Sequence, residues 1–331
     1  MQTDYAIGVD IGGTKCSVVL GKDVGNDIAF SFKTVFKTPD SPNETLAILN
    51  DHIHTILRNC QTSGIKPVGV GISCGGPLCS REGVIMSPPN LPKWDNIHIV
   101  KHMNDCFDMP AWLNNDADAC AVAEWKYGAG VGCRNVIFLT FGTGMGAGLI
   151  LNGQLYTGTN DMAGEVGHVR MHTHGPSGYG KLGSFEGFCS GGGIAQLGRN
   201  LAVASIQRGV YPAYVHNANF DDITANTIAE AADMGDSTAI EVFKASGEAL
   251  GSGLALLVDI LNPEVIIIGS IFSRRHTLLW PYARDVLERE ALKRSAEVCR
   301  VLTANLGEHV GDYAAVAVAL HRSKTNTMED L

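Results

Sequence analysis

The chain has 331 residues, 45% hydrophobic and 18% charged, a balance that fits a globular protein large enough for two lobes. Its formal net charge of −9 argues against nucleic acid or an anionic membrane as the main partner. Nine scattered cysteines, odd in number and without a CxxC pair, read as reduced thiols of a cytoplasmic protein, and neither a signal peptide nor a membrane span is expected.

Residues 4–36 read as a strand meander broken by the turn Asp10-Ile11-Gly12-Gly13-Thr14-Lys15. Leu46, Leu49, Ile53, Ile56 and Leu57 recur at helical spacing between Thr45 and Asn59. A buried strand at 68–72 runs into Gly75-Gly76-Pro77, and the proline-rich stretch 87–94 is a loop. A short strand, 111–113, meets Asn114-Asn115-Asp116, where a helix begins that Gly128 is expected to stop. A second meander, 134–157, carries the turn Thr140-Phe141-Gly142-Thr143-Gly144-Met145-Gly146-Ala147-Gly148. Residues 158–193 are loop-rich, and Ser190-Gly191-Gly192-Gly193 leads into a helix near 194–206. Thr224 and Asp236 are expected caps for two further helices, the second running to Leu261 before Pro263. A buried strand at 265–269 and a last helix at 311–322 complete the reading.

Two strand–turn–strand units, about one domain apart, point to two related lobes and to a polyphosphate clamped from both sides. Glycines let backbone N–H groups approach phosphate oxygens, Thr14 offers a hydroxyl and Lys15 a charge. Asp10, at a strand end, is placed to hold Mg²⁺ directly or through water. Neither turn is a dinucleotide fingerprint or a P-loop: Ala147 stands where GxGxxG needs glycine, and GxxxxGK[ST] is absent. Asn115-Asp116 reads either as a helix N-cap or as a pre-oriented catalytic carboxylate. Glu165 and His168, three apart, with Glu186 downstream, are the residue types that bind sugar hydroxyls.

Together these residues resemble the ROK sugar kinases over nearly the whole chain. The marks are DIGGTK at 10–15, GGP at 75–77, PNLPKW at 89–94, NNDADACAVAEW at 114–125, LTFGTGMGAGLI at 139–150, AGEVGHV at 163–169, FEGFCSGGGI at 185–194, VIIIGS at 265–270 and GDYAAVAVAL at 311–320. The resemblance implies an α/β chain with the two-lobed actin-like (RNase H-like) ATPase fold and a duplicated mixed-sheet core. It implies a small N-terminal lobe over 1–116, a large lobe over 117–310 with the sugar loop and adenosine site, and a C-terminal helix, 311–331, packed back on the small lobe. The implied activity is ATP-dependent phosphorylation of a hexose or N-acetylhexosamine at the 6-hydroxyl, glucokinase-like, by a homodimer. In that scheme Asp116 is the general base, and Asn115, Glu165, His168 and Glu186 bind the sugar, with Asn90 and Gly76 at the pocket edge. Gly12, Gly13, Thr14, Lys15, Gly142, Thr143 and Gly144 cradle the phosphates, and Gly269 stands at the adenosine, where Ser270 replaces a more usual second glycine.

One departure is large. Where many ROK proteins carry the zinc motif Cys-x-Cys-Gly-x-x-Gly-Cys, this chain reads Ser177-Gly178-Tyr179-Gly180-Lys181-Leu182-Gly183-Ser184. Hydroxyls do not replace thiolates at a tetrahedral zinc site, so no structural zinc is expected. Tyr179 is then the expected hydrogen-bond partner of the second His168 ring nitrogen, while His172, His174 and Cys189 are the other nearby metal-ligand types. Two rival functions stand beside the kinase. One is a sugar-responsive repressor, disfavoured because the first turn begins at Asp10 and leaves no room for a helix-turn-helix. The other is an inactive sugar- or nucleotide-binding protein on the same scaffold.

Overall fold

The computed structural model describes residues 4–215 and 219–329. Strands β1 (Tyr5–Ile11), β2 (Lys15–Asp23) and β3 (Ile28–Lys37) form the first meander, followed by α1 (Pro42–Thr62), β4 (Pro67–Cys74), β5 (Leu78–Cys79), β6 (Val84–Ile85), α2 (Ile99–Phe107), β7 (Ala111–Asn115) and α3 (Asp116–Tyr127). Then come β8 (Val136–Leu139), β9 (Ala147–Leu151), β10 (Gln154–Tyr156), a 3-10 turn at Val166–His168, β11 (Ser177–Gly178), β12 (Lys181–Leu182), α4 (Phe185–Phe188), α5 (Gly191–Gln207), α6 (Ala225–Asp233) and α7 (Ser237–Leu261). The chain ends with β13 (Val265–Ile268), α8 (Ile271–Arg274), α9 (His276–Glu290), α10 (Lys293–Ala296), β14 (Arg300–Thr303) and α11 (Val310–Glu329).

Two five-stranded sheets share one pattern, β3-β2-β1-β4-β7 and β10-β9-β8-β13-β14. This is the duplicated mixed-sheet core that the resemblance implies. By contacts the chain forms two compact units, one of Met1–Gly132, Gly148–Ala163 and Asn305–Leu331, the other of Cys133–Ala147 and Gly164–Ala304. Among the described residues no helix is long and apolar enough to cross a membrane.

In the first unit β1 pairs antiparallel with β2 and parallel with β4, and β4 parallel with β7. Its core joins Ile7, Val9, Val18, Val70, Ile72 and Leu113 to Leu49, Ile53 and Ile56 of α1. The other face is covered by α11, packed on β1, β4 and α3. Gly71 makes this approach possible, since a Cβ there would lie 2.0 Å from the Ala315 carbonyl.

The caps read from sequence are present: Thr224 closes a capping box with Thr227, and Asp236 accepts from Ala239 N. α1 starts earlier than its apolar period, at Pro42 in the N1 position after Ser41. α9, which the sequence analysis did not place, continues through Pro281 despite the backbone hydrogen bond that proline cannot donate. Gly128 does end α3, but for a different reason than a left-handed cap. Its φ is −122°, and a Cβ would lie 2.0 Å from Glu124 Oε2. Glu124 is fully buried and accepts from Ala129 N (2.8 Å) and Leu306 N (2.9 Å). Gly128→Ala displaces that carboxylate from both donors and should lower stability by about 2–3 kcal/mol. Urea unfolding of the purified variant checks this.

Candidate active site

In the first unit the candidate residues gather where the parallel strands end. Register places Asp10 of β1 opposite Ser73 of β4, and Cys74 of β4 opposite Asn115 of β7. Carboxyl ends of parallel strands are where α/β folds bind ligands, because the strands leave in diverging turns there. Asp10 hydrogen-bonds to Ser73, and its carboxyl is pushed up to about 6. Burial is the main cause, with Asp116 and Asp312 adding repulsion and Lys15 opposing.

The first glycine turn is tied down at its base and open at its tip. Gly12 N donates to Lys15 O (3.1 Å), and Thr38 Oγ1 donates to Gly12 O (2.6 Å). Gly13, Thr14 and Lys15 are exposed. Asn90 packs on this turn: a Cβ on Gly13 would lie 2.5 Å from Asn90 O. The loop bearing Asn90 is pinned by buried Leu91 and Trp94 and by a Ser87 N to Trp94 O bond. DIGGTK and PNLPKW are therefore one structural element, a link that spacing alone does not reveal.

Of the two readings of Asn115-Asp116, the helix cap is seen at Asn115. Asn115 is the N-cap of α3, its Oδ1 accepting from Ala117 N at 2.9 Å. Its amide nitrogen remains directed at Gly76, whose added Cβ would lie 2.8 Å away. Asp116 opens α3, and Ala117 N also donates to its Oδ1 (2.8 Å). Solvent reaches this carboxylate, yet the protein around it raises its pKa by desolvation, against the lowering effect of the Ala117 N–H.

In the second unit β8 and β13 run parallel, with Leu139 opposite Ile268, so their following turns meet. Ile271 N donates to Phe141 O, and Gly191 N, at the start of α5, to Gly142 O (2.8 Å each). Gly142, Thr143, Gly191, Gly192, Ser270 and Arg274 line part of a cleft of about 610 Å³. Arg199 holds another wall by donating to the Phe220 and Ile223 carbonyls. This wall was absent from the sequence reading, and so was Arg274. The basic pair Arg274-Arg275, just after the 269–270 turn, was the available signal.

Ser270 carries the strain of that turn, with φ 56° and ψ −117°, a conformation suited to glycine. Ser270→Gly should stabilise the fold by about 1 kcal/mol, read as a raised midpoint in thermal or urea unfolding.

The sugar-ligand candidates of this unit converge on the second glycine turn. Glu186 Oε2 accepts from Met145 N at 3.1 Å. Gly167, between Glu165 and His168, lies against Met145 O, 2.0 Å from where its Cβ would be. Gly164 is equally close to Ala147 O, and Ala147 N donates to Gly164 O (2.8 Å). Glu165 and His168 are exposed beside this anchored backbone.

Tyr179 does not serve His168 as expected. Their rings meet edge to face with centroids 6.2 Å apart, and Tyr179 is 74% exposed. The reason is local: Tyr179 (φ 46°) and Gly180 (φ 73°) form the two-residue turn between β11 and β12, which directs the side chain outward. Ser184, at a former thiolate position, instead caps α4 through Gly187 N. Cys189 turns inward to Ser246 O, and the His172 ring packs on Phe188. Among the described residues no three His, Cys, Asp or Glu side chains group to hold a metal.

The ROK family profile matches residues 6–322. The chain belongs to the ROK family. A ROK glucokinase of Streptomyces griseus, solved with glucose and AMPPNP, superposes with a TM-score of 0.74 at 28% identity, covering 96% of this chain and 99% of its own. A ROK hexokinase from Thermus thermophilus gives 0.78 at 25% identity, over 97% and 99%. The glucokinase of Streptomyces coelicolor is 30% identical over 315 residues, 95% of this chain and 96% of that protein. A xylose repressor of Caldicellulosiruptor bescii is also similar, 29% identical over 286 residues, 86% of this chain and 70% of its own length. The ROK fold thus accounts for both sheets, and these relatives support a sugar kinase.

Proposed function

We propose that this ROK protein transfers the γ-phosphate of ATP to the 6-hydroxyl of a hexose or N-acetylhexosamine, with glucose the first sugar to try. The observation that carries the reading is the hydrogen bond from Met145 N to Glu186. It joins a candidate sugar ligand to a glycine turn that borders a nucleotide-sized cleft. The likeness to full-length glucokinases supports it.

In this reading Asn115, Glu165, His168 and Glu186 bind sugar hydroxyls, with Asn90 and Gly76 at the pocket edge. In the turns 12–15 and 142–144, the N–H groups other than those of Gly12 and Gly142, which donate to Lys15 O and Gly144 O, receive phosphate oxygens, and the Gly269-Ser270 turn borders the nucleoside. Asp116 accepts the proton of the attacking hydroxyl. Its raised pKa suits that task, since a base nearer neutrality takes a proton more readily than an ordinary carboxylate. Mg²⁺, when bound with ATP, supplies charge neutralisation on the phosphates. Asp10 fits such a hard cation, being a half-buried oxygen donor at a strand end with the carboxylates of Asp116 and Asp312 close enough to repel it.

ADP release measured over a panel of glucose, mannose, N-acetylglucosamine, N-acetylmannosamine, allose and fructose tests the proposal. Sugar-dependent ADP release by at least one is expected. Tight sugar binding with no ADP release from any would instead support a non-catalytic sensor.

A further inference from the structure

We propose that Gln196, on α5, is a positioning residue that sets Glu186 and His168 in the sugar site; this rests on the reading of those two as sugar ligands. The Gln196 side-chain amide grips one residue twice. Its Oε1 accepts from Ser177 N at 3.0 Å, and its Nε2 donates to Ser177 O at 2.9 Å. Both bonds need the amide in a single orientation, because a flip would set oxygen against oxygen and N–H against N–H.

Ser177 opens the β11–β12 hairpin, which has only two residue pairs, Ser177↔Leu182 and Gly178↔Lys181. Such a hairpin does not hold its own shape in water. Yet it is the platform for the sugar-ligand candidates. Gly178 abuts the chain that bears Glu186: a Cβ on it would lie 2.6 Å from Gly187 N and 2.8 Å from Glu186 Cβ. On the other strand Lys181 Nζ donates to His168 O at 2.7 Å. Ser184 closes the platform, donating to Gly178 O (3.4 Å) and accepting from Gly187 N (3.1 Å).

The N-terminal end of α5 is fixed as well, since Gly191 N donates to Gly142 O of the second glycine turn at 2.8 Å. One helix therefore holds the glycine turn by its first residue and the sugar platform by Gln196. Loss of the Gln196 grip loosens the Ser177 strand of the platform but leaves the glycine turn attached. The nucleotide should then bind as before while the sugar ligands lose their fixed placement.

The test pairs kinetics with amide exchange in two variants. Gln196→Met keeps the side-chain length and removes both bonds. It should lower kcat/KM for the sugar about 10- to 100-fold, because small misplacements of binding groups are costly. The KM for ATP should stay within about twofold, since uniform nucleotide binding is untouched. The Ser177 amide should exchange faster, with the melting temperature little changed. Gln196→Glu keeps the acceptor for Ser177 N but sets a carboxylate oxygen against Ser177 O. Its sugar KM, relative to that of the parent protein at each pH, should fall as pH is lowered from about 8 to about 4.5, where protonation of the carboxyl facing the Ser177 carbonyl restores a donor. Faster Ser177 exchange with sugar kinetics unchanged in both variants would overturn the proposal, as would unchanged Ser177 exchange in Gln196→Met. If the parent protein binds no sugar, the kinase reading fails by itself, and exchange at residues 168 and 186 still decides whether Gln196 holds the platform.

Discussion

Asp116→Asn is expected to lower kcat for sugar phosphorylation by about 10²- to 10⁴-fold, the range that removal of a general base produces. Asn keeps the size of the side chain and its oxygen can still accept from Ala117 N, so α3 should start as before. Sugar binding should persist, because its proposed ligands are other residues. The pH profile of the parent protein belongs to the same expectation. Desolvation raises the Asp116 carboxyl, so kcat should fall on the acid side at a pH above that of an ordinary carboxylate. Initial rates at saturating ATP and sugar, with sugar affinity measured by calorimetry, check both parts.

Asp10→Asn is expected to move activity and stability in opposite directions. The folded-state pKa of about 6 stands above the 3.8 of an ordinary Asp carboxyl, with burial the chief cause. The folded state therefore binds the proton more tightly than the unfolded chain does. This favours folding below pH 3.8 and is lost as pH rises through about 6, so at neutral pH the ionised carboxylate costs up to about 3 kcal/mol. Asn removes the charge and gives up part of the Ser73 bond, leaving a net gain of about 1–2 kcal/mol at pH 7. The same change should reduce Mg²⁺-dependent turnover by about 10²-fold or more, as the proposed phosphate-side charge partner disappears. Urea unfolding at pH 5 and pH 8, beside ADP-release assays, gives both readings. The stability gain should be smaller at pH 5 than at pH 8.

The parts that were legible in the sequence are those fixed by local rules. Apolar runs on both sides of Gly12-Gly13 and of Gly142–Gly146 gave the strand–turn–strand units, and short-range side-chain caps gave Thr224 and Asp236. What was not legible depends on groups far apart in the chain. Gly13 is glycine because Asn90 lies on it, and Gly128 because the Glu124 carboxylate needs the space. The bond of Glu186 to Met145 N crosses 41 positions, and that of Gln196 to Ser177 joins a helix to a two-pair hairpin that no periodicity marks. Tyr179 failed as a partner for His168 because its turn, a feature of two residues, decides its direction. Motif resemblance named candidate ligands well ahead of any contact, but the supporting residues around them needed coordinates.

Phosphorus NMR of the products formed from ATP and glucose tests the central claim most directly. The account predicts a sugar phosphate whose phosphorus couples to the C6 protons, formed in equal amount with ADP and absent with Asp116→Asn. ATP left intact beside glucose bound to the protein, or an Asp116→Asn variant as active as its parent, would contradict it.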